Sequence, residues 1–318
     1  MDPLTHFKNI NTNMKTRILR NILLSLGAFF ALAMSTHAQN LYVSVNGAIC
    51  GAHCSIFSGS ISEYTPDGMQ STFAAGLARP RGLAFDSSGN LFAAVNYFAP
   101  PNQRHGKILK FPPLGHQSVL GNVALSFMQG LVTDSEGNVF AMAQSFSSTI
   151  GDVSNIYKFA PDGTRMLFGS VGTALSGFGL ALDSAGNLYA ADGGGQTIYK
   201  FAPDGTRTVF AGPSAFADGT GPIGLAFDST DNLFVATEGD PGNDTILVFT
   251  PDGMESTFAT GLTNPRGLAF DSFGNLFVAE TNPAPDGDIL KFAPGGGAPT
   301  VFASGIDLPE FLAFGPPR

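Results

Sequence analysis

A five-residue phrase recurs along this chain and constrains its fold more than any other feature of the sequence. The phrase reads Gly-Leu-Ala-Phe-Asp or a close variant of it. Its copies begin at Gly82, Gly130, Gly179, Gly224 and Gly267, and a degraded copy begins at Phe311. Successive copies are 48, 49, 45, 43 and 44 residues apart. Such a period is typical of repeat units that each contribute one small sheet to a larger array.

Each repeat predicts four short β-strands, which we name a to d. Strand a is the phrase itself, and its aspartate opens a tight turn such as 86–90, where the fourth position is glycine and tolerates a positive φ. Strand b is Leu-Phe or Leu-Tyr followed by small residues, as in 276–279. Strand c, as in 289–292, ends in most repeats at a Pro-Asp-Gly turn, and strand d is a short run such as 208–211. No window shows sustained helical periodicity, so the pattern predicts an all-β fold.

The repeats predict a six-bladed β-propeller of four-stranded blades. Five units are complete, and the C-terminal fragment 311–315 supplies only a strand a. The N-terminal fragment supplies strands b, c and d at 41–44, 61–64 and 71–74. Pairing the two fragments makes a sixth blade and closes the ring, which removes the sheet edges that an open array would expose.

The repeat resembles the NHL repeat. The pattern that carries the resemblance is Gly-Leu-Ala-Phe-Asp-x-x-Gly-Asn-Leu-Phe-Val-Ala, followed by Ile-x-Lys-Phe-x-Pro-Asp-Gly, and it covers nearly all of residues 39–318. The resemblance implies a propeller of six blades. It also implies a binding platform or sensor more often than an enzyme, but one fold hosts many activities.

The first 38 residues predict a signal peptide, which leaves 39–318 as the propeller domain. Four basic residues precede an apolar stretch from Ile22 to Met34, and small residues at 36–38 suit cleavage after Ala38. Met14 is an alternative start, and an uncleaved membrane anchor is the alternative interpretation of the segment. We therefore expect a secreted or periplasmic protein.

Removal of the signal peptide makes the chain strongly acidic. The whole chain has a net charge of −9, and residues 1–38 hold four Lys or Arg and one Asp, so the mature chain has a net charge of −12. This charge disfavours binding to nucleic acid or to anionic membrane surfaces. We expect a monomer whose partner is a protein or a small anionic or carbohydrate ligand.

The two cysteines of the chain, Cys50 and Cys54, predict a local disulfide, because an exported protein meets oxidising conditions. Free thiols are the alternative. With His53, the two thiols make an incomplete zinc shell, so we expect no metal at this place.

The variable loops predict where a ligand would bind. In the expected topology, the b–c and d–a loops share one face of the ring, and the opposite face holds turns that are nearly identical between blades. The residue that precedes each strand-a glycine should lie at the mouth of the central channel on the variable face. These six residues, which we call the mouth ring, are Arg81, Gln129, Phe178, Ile223, Arg266 and Glu310.

The six positions of the mouth ring can also be compared with those of a family that the chain distantly resembles. Lactonases of the gluconolactonase/senescence-marker family place carboxylates and amides that bind a metal at these positions, and Glu310 resembles one of them. Arginine, phenylalanine and isoleucine offer no oxygen ligand for a hard cation. The sequence predicts instead an Arg81–Glu310–Arg266 cluster with a local charge of +1. Such a cluster could stabilise the closing blade as a network of salt bridges, or it could bind a carboxylate or phosphate.

Five further residues are candidates for ligand binding. Asp192 and Glu238 end their b strands and could reach the channel, while Tyr97, Arg104 and His105 belong to a predicted b–c loop that combines aromatic and basic side chains. We find no nucleophile elbow, phosphate-binding loop or histidine-rich metal motif, and we expect no cofactor and no catalytic residue.

Three functions remain open from the sequence. The first is a non-catalytic module that binds a ligand through its variable face, and this is the function that we predict. The alternative is an enzyme of the lactonase or lyase type at the channel mouth. A structural module without a dedicated ligand is the third.

Overall fold

The computed structural model describes residues 39–46, 59–100, 103–145, 151–172, 177–239, 244–281 and 286–317. Within these ranges the chain is almost entirely β-structure. Its strands, in chain order, are β1 (Leu41–Val45), β2 (Gly59–Tyr64), β3 (Gln70–Leu77), β4 (Pro80–Phe85), β5 (Leu91–Ala99), β6 (Gln103–Phe111), β7 (Ser118–Ala124), β8 (Ser126–Thr133), β9 (Val139–Ser145), β10 (Val153–Phe159), β11 (Arg165–Gly172), β12 (Gly177–Leu182), β13 (Leu188–Asp192), β14 (Thr197–Phe201), β15 (Arg207–Ala211), β16 (Gly221–Phe227), β17 (Leu233–Glu238), β18 (Asp244–Phe249), β19 (Glu255–Leu262), β20 (Pro265–Phe270), β21 (Leu276–Glu280), β22 (Asp286–Phe292), β23 (Thr300–Asp307) and β24 (Pro309–Phe314). The described residues contain a single short 3₁₀ helix, Pro213–Ala215. No helix among them has the length and apolar character that crossing a membrane requires.

The strands form six antiparallel sheets of four strands, which are the blades of a propeller. Blades 1 to 5 follow the chain and contain β4–β7, β8–β11, β12–β15, β16–β19 and β20–β23. Blade 6 has the order β24-β1-β2-β3, so the last strand pairs with the first. Leu41 lies opposite Phe314 and Val43 lies opposite Leu312. The predicted fold is thereby confirmed, including the closure of its ring.

The turn between strands a and b explains the repeated Asp-x-x-Gly-Asn segment. In blade 1, Asp86 Oδ1 accepts hydrogen bonds from the backbone N–H groups of Ser88, at 3.0 Å, and Asn90, at 2.8 Å. The Asn90 side-chain amide donates to Asp86 Oδ2 at 2.6 Å. Gly89 has a φ of 79°, which glycine adopts at little cost. Equivalent bonds form at Asp134, Asp183, Asp228 and Asp271.

The core lies between blades. Buried apolar side chains form six clusters, and each cluster fills the junction of two neighbouring blades. Aromatic rings meet edge to face across these junctions, as Tyr189 of blade 3 does with Phe227 of blade 4 at a centroid distance of 4.9 Å. The expectation that the phenylalanine rings interleave between sheets is confirmed, and burial of such rings contributes a large share of the stability.

The innermost strands approach one another closely because five of the six carry the glycine of the repeated phrase, and β24 has Phe311 in its place. A Cβ atom on Gly130 would lie 2.7 Å from the carbonyl oxygen of Phe178 and 3.0 Å from the backbone nitrogen of Leu180 in the next blade. At Gly267, a Cβ atom would lie 2.7 Å from the carbonyl oxygen of Glu310. Any larger residue would force the inner strands apart.

The structure corrects one prediction about the b–c connection of blade 1. Tyr97, Arg104 and His105 belong to strands β5 and β6, and not to a loop, because the two strands keep pairing beyond the sheet core. Tyr97 lies opposite His105 and Phe98 opposite Arg104. Contacts between these cross-strand neighbours, such as the stacked rings of Tyr97 and His105, stabilise the extension, and the pairing continues to Ala99 opposite Gln103.

Candidate functional site at the channel mouth

The mouth ring brings three of its six members into direct contact. Arg81 Nη1 donates to Glu310 Oε2 at 2.8 Å, and Arg266 Nη1 lies 3.5 Å from the same oxygen. The residues come from blades 1, 6 and 5, which are neighbours around the closed ring. The contacts therefore depend on the pairing of β24 with β1.

A fourth charged residue joins this cluster. Arg266 Nη2 donates to Glu238 Oε1 at 2.8 Å, and Glu238 is the last residue of β17 in blade 4. We call the four residues Arg81, Glu310, Arg266 and Glu238 the mouth network. Two guanidinium groups and two carboxylates give it a formal charge of zero, so the predicted local charge of +1 is wrong. Glu238, which was predicted to reach the channel from the end of its b strand, is 28 residues from Arg266 in the chain.

The mouth network is largely removed from water. The Glu310 side chain is 7 % exposed, whereas those of Arg81 and Arg266 are 22 % and 23 % exposed. Burial lowers the pKa of the Arg81 guanidinium, and Glu310 opposes this shift. Burial also raises the pKa of the Glu238 carboxyl, and Arg266 only partly offsets that increase. The Glu238 side chain is 24 % exposed, so Glu310 is the buried member of the mouth network and the other three remain partly exposed.

Gln129 occupies the ring position next to Arg81, and its side-chain oxygen is a buried acceptor without a donor among the described residues. Its Nε2 donates to Gln144 Oε1 at 3.0 Å, and Gln144 in turn donates to the carbonyl oxygen of Gly177 at 3.1 Å. Gln129 Oε1 is buried and has no hydrogen-bond partner among the described residues. Leaving such an acceptor unpaired costs roughly 1–3 kcal/mol. A donor from a bound molecule would remove that cost.

Two residues that contact the mouth ring, Asn46 and Gln144, were not predicted from the sequence, whereas Glu238 was. Asn46 Nδ2 donates to Glu310 Oε1 at 3.4 Å, and Gln144 and Glu238 make the equivalent contacts to Gln129 and Arg266. All three residues stand five positions after the first residue of their b strand. A search for amides at that position of each repeat would have found Asn46 and Gln144.

The other predicted candidates lie apart from the mouth network. Asp192 ends β13 and is buried, and its Oδ1 accepts a hydrogen bond from the Gly195 backbone N–H at 3.0 Å, within the tight b–c turn of blade 3. In the hairpin of blade 1, the Tyr97 and His105 rings stack at 5.5 Å. On its opposite face, Arg104 lies over the Phe127 ring at 5.3 Å. Cys50 and Cys54 lie outside the described residues, as does the predicted signal peptide.

The mouth ring does not fit a hard divalent cation. Glu310 is the ring carboxylate, and guanidinium nitrogens contact one of its oxygens. Gln129 offers one further oxygen, and the remaining members are two arginines, Phe178 and Ile223, which offer none. Within the described ranges, His, Cys, Asp and Glu side chains form no group of three that could hold a metal ion.

Comparisons with known proteins establish the fold. No protein-family model matches the chain, and no curated protein matches it either, so membership of the NHL family stays a prediction. Among solved structures, a catalytically inactive virginiamycin B lyase from Staphylococcus aureus with quinupristin is similar, with a TM-score of 0.55 and 18 % identity over 76 % of each chain. A putative gluconolactonase has a TM-score of 0.55 and 16 % identity over 76 % of this chain and 88 % of its own.

A third similar structure is that of a calcium-binding protein, regucalcin, from Agrobacterium tumefaciens. Its TM-score is 0.55, with 13 % identity over 70 % of this chain and 75 % of its own. At such identities the likeness extends to the fold alone. The protein is a six-bladed β-propeller, and its similar structures include lactonase-like and lyase-like proteins.

Proposed function

We propose that this protein is an exported, non-catalytic binding module, of the NHL type that its repeats resemble, and that its ligand binds at the channel mouth. The ligand is a small molecule rich in oxygen, such as a sugar or a sugar acid. It accepts hydrogen bonds from Arg81 and donates one to Gln129. The observation that carries this proposal is the buried, unpartnered Oε1 atom of Gln129 beside a partly exposed arginine.

The hydrogen-bonding capacity of Arg81 supports the same ligand chemistry. Among the described residues, Arg81 donates only through Nη1, to Glu310. A guanidinium group has five N–H donors, so its other donors can meet a ligand. A hydroxyl group is both donor and acceptor, and neighbouring hydroxyl or carboxyl oxygens could satisfy Arg81 and Gln129 together. Phe178 and Ile223 make the opposite arc of the ring apolar, which suits the C–H face of a sugar.

The proposal is tested by thermal melts and calorimetric titrations with gluconate, galacturonate, glucose, acetate and phosphate. A ligand at a hundred times its Kd adds about 2.7 kcal/mol of stability, which is measurable as an increase in melting temperature. We expect Arg81→Ala and Gln129→Leu to abolish the response to the effective ligand. Arg207→Ala is the matched control, because Arg207 lies on the outer strand β15 and contacts the Ser170 carbonyl oxygen.

Two outcomes would contradict this function. If none of the five compounds binds, the proposed ligand class is wrong. If Arg81→Ala lowers the melting temperature but leaves ligand binding unchanged, the mouth network serves only to stabilise the closing blade.

An enzyme of the lactonase or lyase type is the second candidate, and the raised pKa of Glu238 favours it. A carboxyl group with a raised pKa at the mouth of a channel could act as a general acid or base. Hydrolysis of simple aldonolactones that is lost in Glu238→Gln would support the enzyme. The absence of turnover for lactones that nevertheless bind would favour the binding module.

A further inference from the structure

Four of the six blades use a lysine to cover the aromatic ring of strand b. The lysine nitrogens lie 5.1–5.7 Å from the ring centroids, and each lysine is directly opposite its ring in the antiparallel register. The pairs are Lys110 with Phe92, Lys158 with Phe140, Lys200 with Tyr189, and Lys291 with Phe277. Each pair has the geometry of a cation–π interaction.

Two of these lysines also contact the aspartate that opens the a–b turn of their own blade. Lys158 Nζ lies 3.4 Å from Asp134 Oδ2, and Lys200 Nζ lies 3.6 Å from Asp183 Oδ2. In these blades the ammonium group is held between the face of an aromatic ring and a carboxylate. The fold therefore repeats a binding geometry for an ammonium group, on the face of the ring that holds the a–b and c–d turns.

Blade 4 has the ring and the carboxylate but lacks the lysine. Val248 lies opposite Phe234, in the register position that lysine occupies in blades 1, 2, 3 and 5 and that Glu63 occupies in blade 6. The Phe234 ring packs edge to face against Phe258, at 5.1 Å, and Phe270, at 4.9 Å. Tyr189 of blade 3 packs in the same way between Phe210 and Phe227. The ring therefore has its usual neighbours in blade 4, and only the cation is missing.

A cavity of about 290 Å³ lies at this place, between blades 4 and 5. Phe234, Phe258 and Phe270 form its apolar wall, and Asp228 and Asp271 contribute carboxylates. Within the described ranges, neither carboxylate forms an ion pair with a lysine or an arginine. The cavity combines aromatic faces with negative charge, which is the chemistry that binds ammonium groups.

Asp228 is held in its charged form. Burial opposes its ionisation, but hydrogen bonds from Asn232 and Thr230 outweigh that effect and lower the pKa of the carboxyl. Asp134 shows that such a turn aspartate can accept one more donor. Its Oδ2 accepts from Asn138 at 2.7 Å while Lys158 approaches the same atom.

We propose that the cavity between blades 4 and 5 binds a protonated alkyl amine. Its ammonium group lies over the Phe234 ring and beside Asp228, in the place of the missing lysine. Its alkyl chain contacts Phe258, Phe270 and Leu276. The volume is at the lower end of the range of small-molecule pockets, roughly 300–1,000 Å³, so the bound group is small. The amine is either free or the side chain of a lysine in another protein.

The test compares n-pentylamine with the neutral n-pentanol by calorimetric titration of the protein at pH 7. We expect pentylamine to bind with a stoichiometry of one and pentanol to bind at least tenfold more weakly. N-acetyl-lysine methylamide separates the two sources. If it binds as tightly as pentylamine, the site accepts a lysine side chain, whereas its exclusion identifies a free amine as the ligand.

Two reciprocal variants make the test specific. Val248→Lys supplies the lysine that blade 4 lacks, so it should weaken pentylamine binding at least tenfold while the melting temperature stays at or above that of the wild type. Lys200→Val removes the lysine between blades 3 and 4, beside Tyr189 and Asp183, and should add a second amine site. Undetectable binding of both amines, equal binding of pentanol, or unchanged binding in Val248→Lys would overturn the proposal. If Lys200→Val does not fold, Val248→Lys alone decides.

Discussion

Replacing Gly130 by alanine should push apart two inner strands of the ring. The new Cβ atom would lie 2.7 Å from the carbonyl oxygen of Phe178 and 3.0 Å from the nitrogen of Leu180. Both atoms belong to the backbone of β12, so no side-chain rotation relieves the contact. Strands β8 and β12 must separate by several tenths of an ångström, and a closed ring passes this displacement to the neighbouring blades.

We expect this substitution to lower the free energy of unfolding by about 2–3 kcal/mol, in the range of overpacked cores. For a domain of this size, that loss corresponds to roughly 3–5 °C in melting temperature. Gly212→Ala is the matched control. Gly212 has a φ of −100° and no atom within 4 Å of a built Cβ, so alanine fits without strain. There the change should be neutral or slightly stabilising, because alanine restricts the unfolded chain.

Thermal melts and urea titrations of the two variants measure this difference. Equal stability of Gly130→Ala and Gly212→Ala would refute the claim that close approach of the inner strands requires glycine. A loss in both variants would show instead that glycine contributes through its backbone freedom.

Three other predictions follow from the geometry. Tyr64→Phe should stabilise the protein by about 1 kcal/mol, because the buried Tyr64 hydroxyl forms no hydrogen bond of good geometry among the described residues and all five other blades have phenylalanine there. Burial raises the pKa of Tyr64 to about 12, and the nearby Ser62 side chain opposes this shift only in part, so the variant should also lose less stability between pH 10 and 12. The stability of the wild type should decrease as the pH rises above about 4.5, because burial raises the folded-state pKa of Glu238 and the folded state therefore binds the proton more tightly than the unfolded state. Glu238→Gln should lack this decrease. Deletion of residues 311–318 should prevent stable folding, because it removes the partner of β1 and the buried Leu312. Circular dichroism and solubility of the deletion variant measure this loss.

Each of these predictions has a result that would contradict it. A loss of stability in Tyr64→Phe would show that the hydroxyl is satisfied in solution. Parallel stability curves for wild type and Glu238→Gln between pH 4 and 7 would mean that the pKa of Glu238 is not raised by folding. A deletion variant with the melting temperature of the full chain would contradict closure through β24.

Most of the fold could be predicted from the sequence because it is encoded locally and then repeated. Each Asp-x-x-Gly-Asn segment forms its turn through hydrogen bonds within five residues, as at Asp86. The number of blades and the pairing of the two chain ends follow from counting these units. The extension of the hairpin that holds Tyr97 and His105 could not be predicted in this way, because the glycines and prolines nearby are equally typical of a loop.

The sequence by itself determined the blades, the closure of the ring and the six positions of the mouth ring. Only the tertiary structure decided which side chains meet there. Arg81 and Glu310 are 229 residues apart, and Glu238 reaches Arg266 from the neighbouring blade. The cavity beside Phe234, in the blade that lacks a lysine, likewise depends on strand register and blade packing. The physical reason is that turns and strands follow from local contacts, whereas a site between blades depends on how separate sheets stack around an axis.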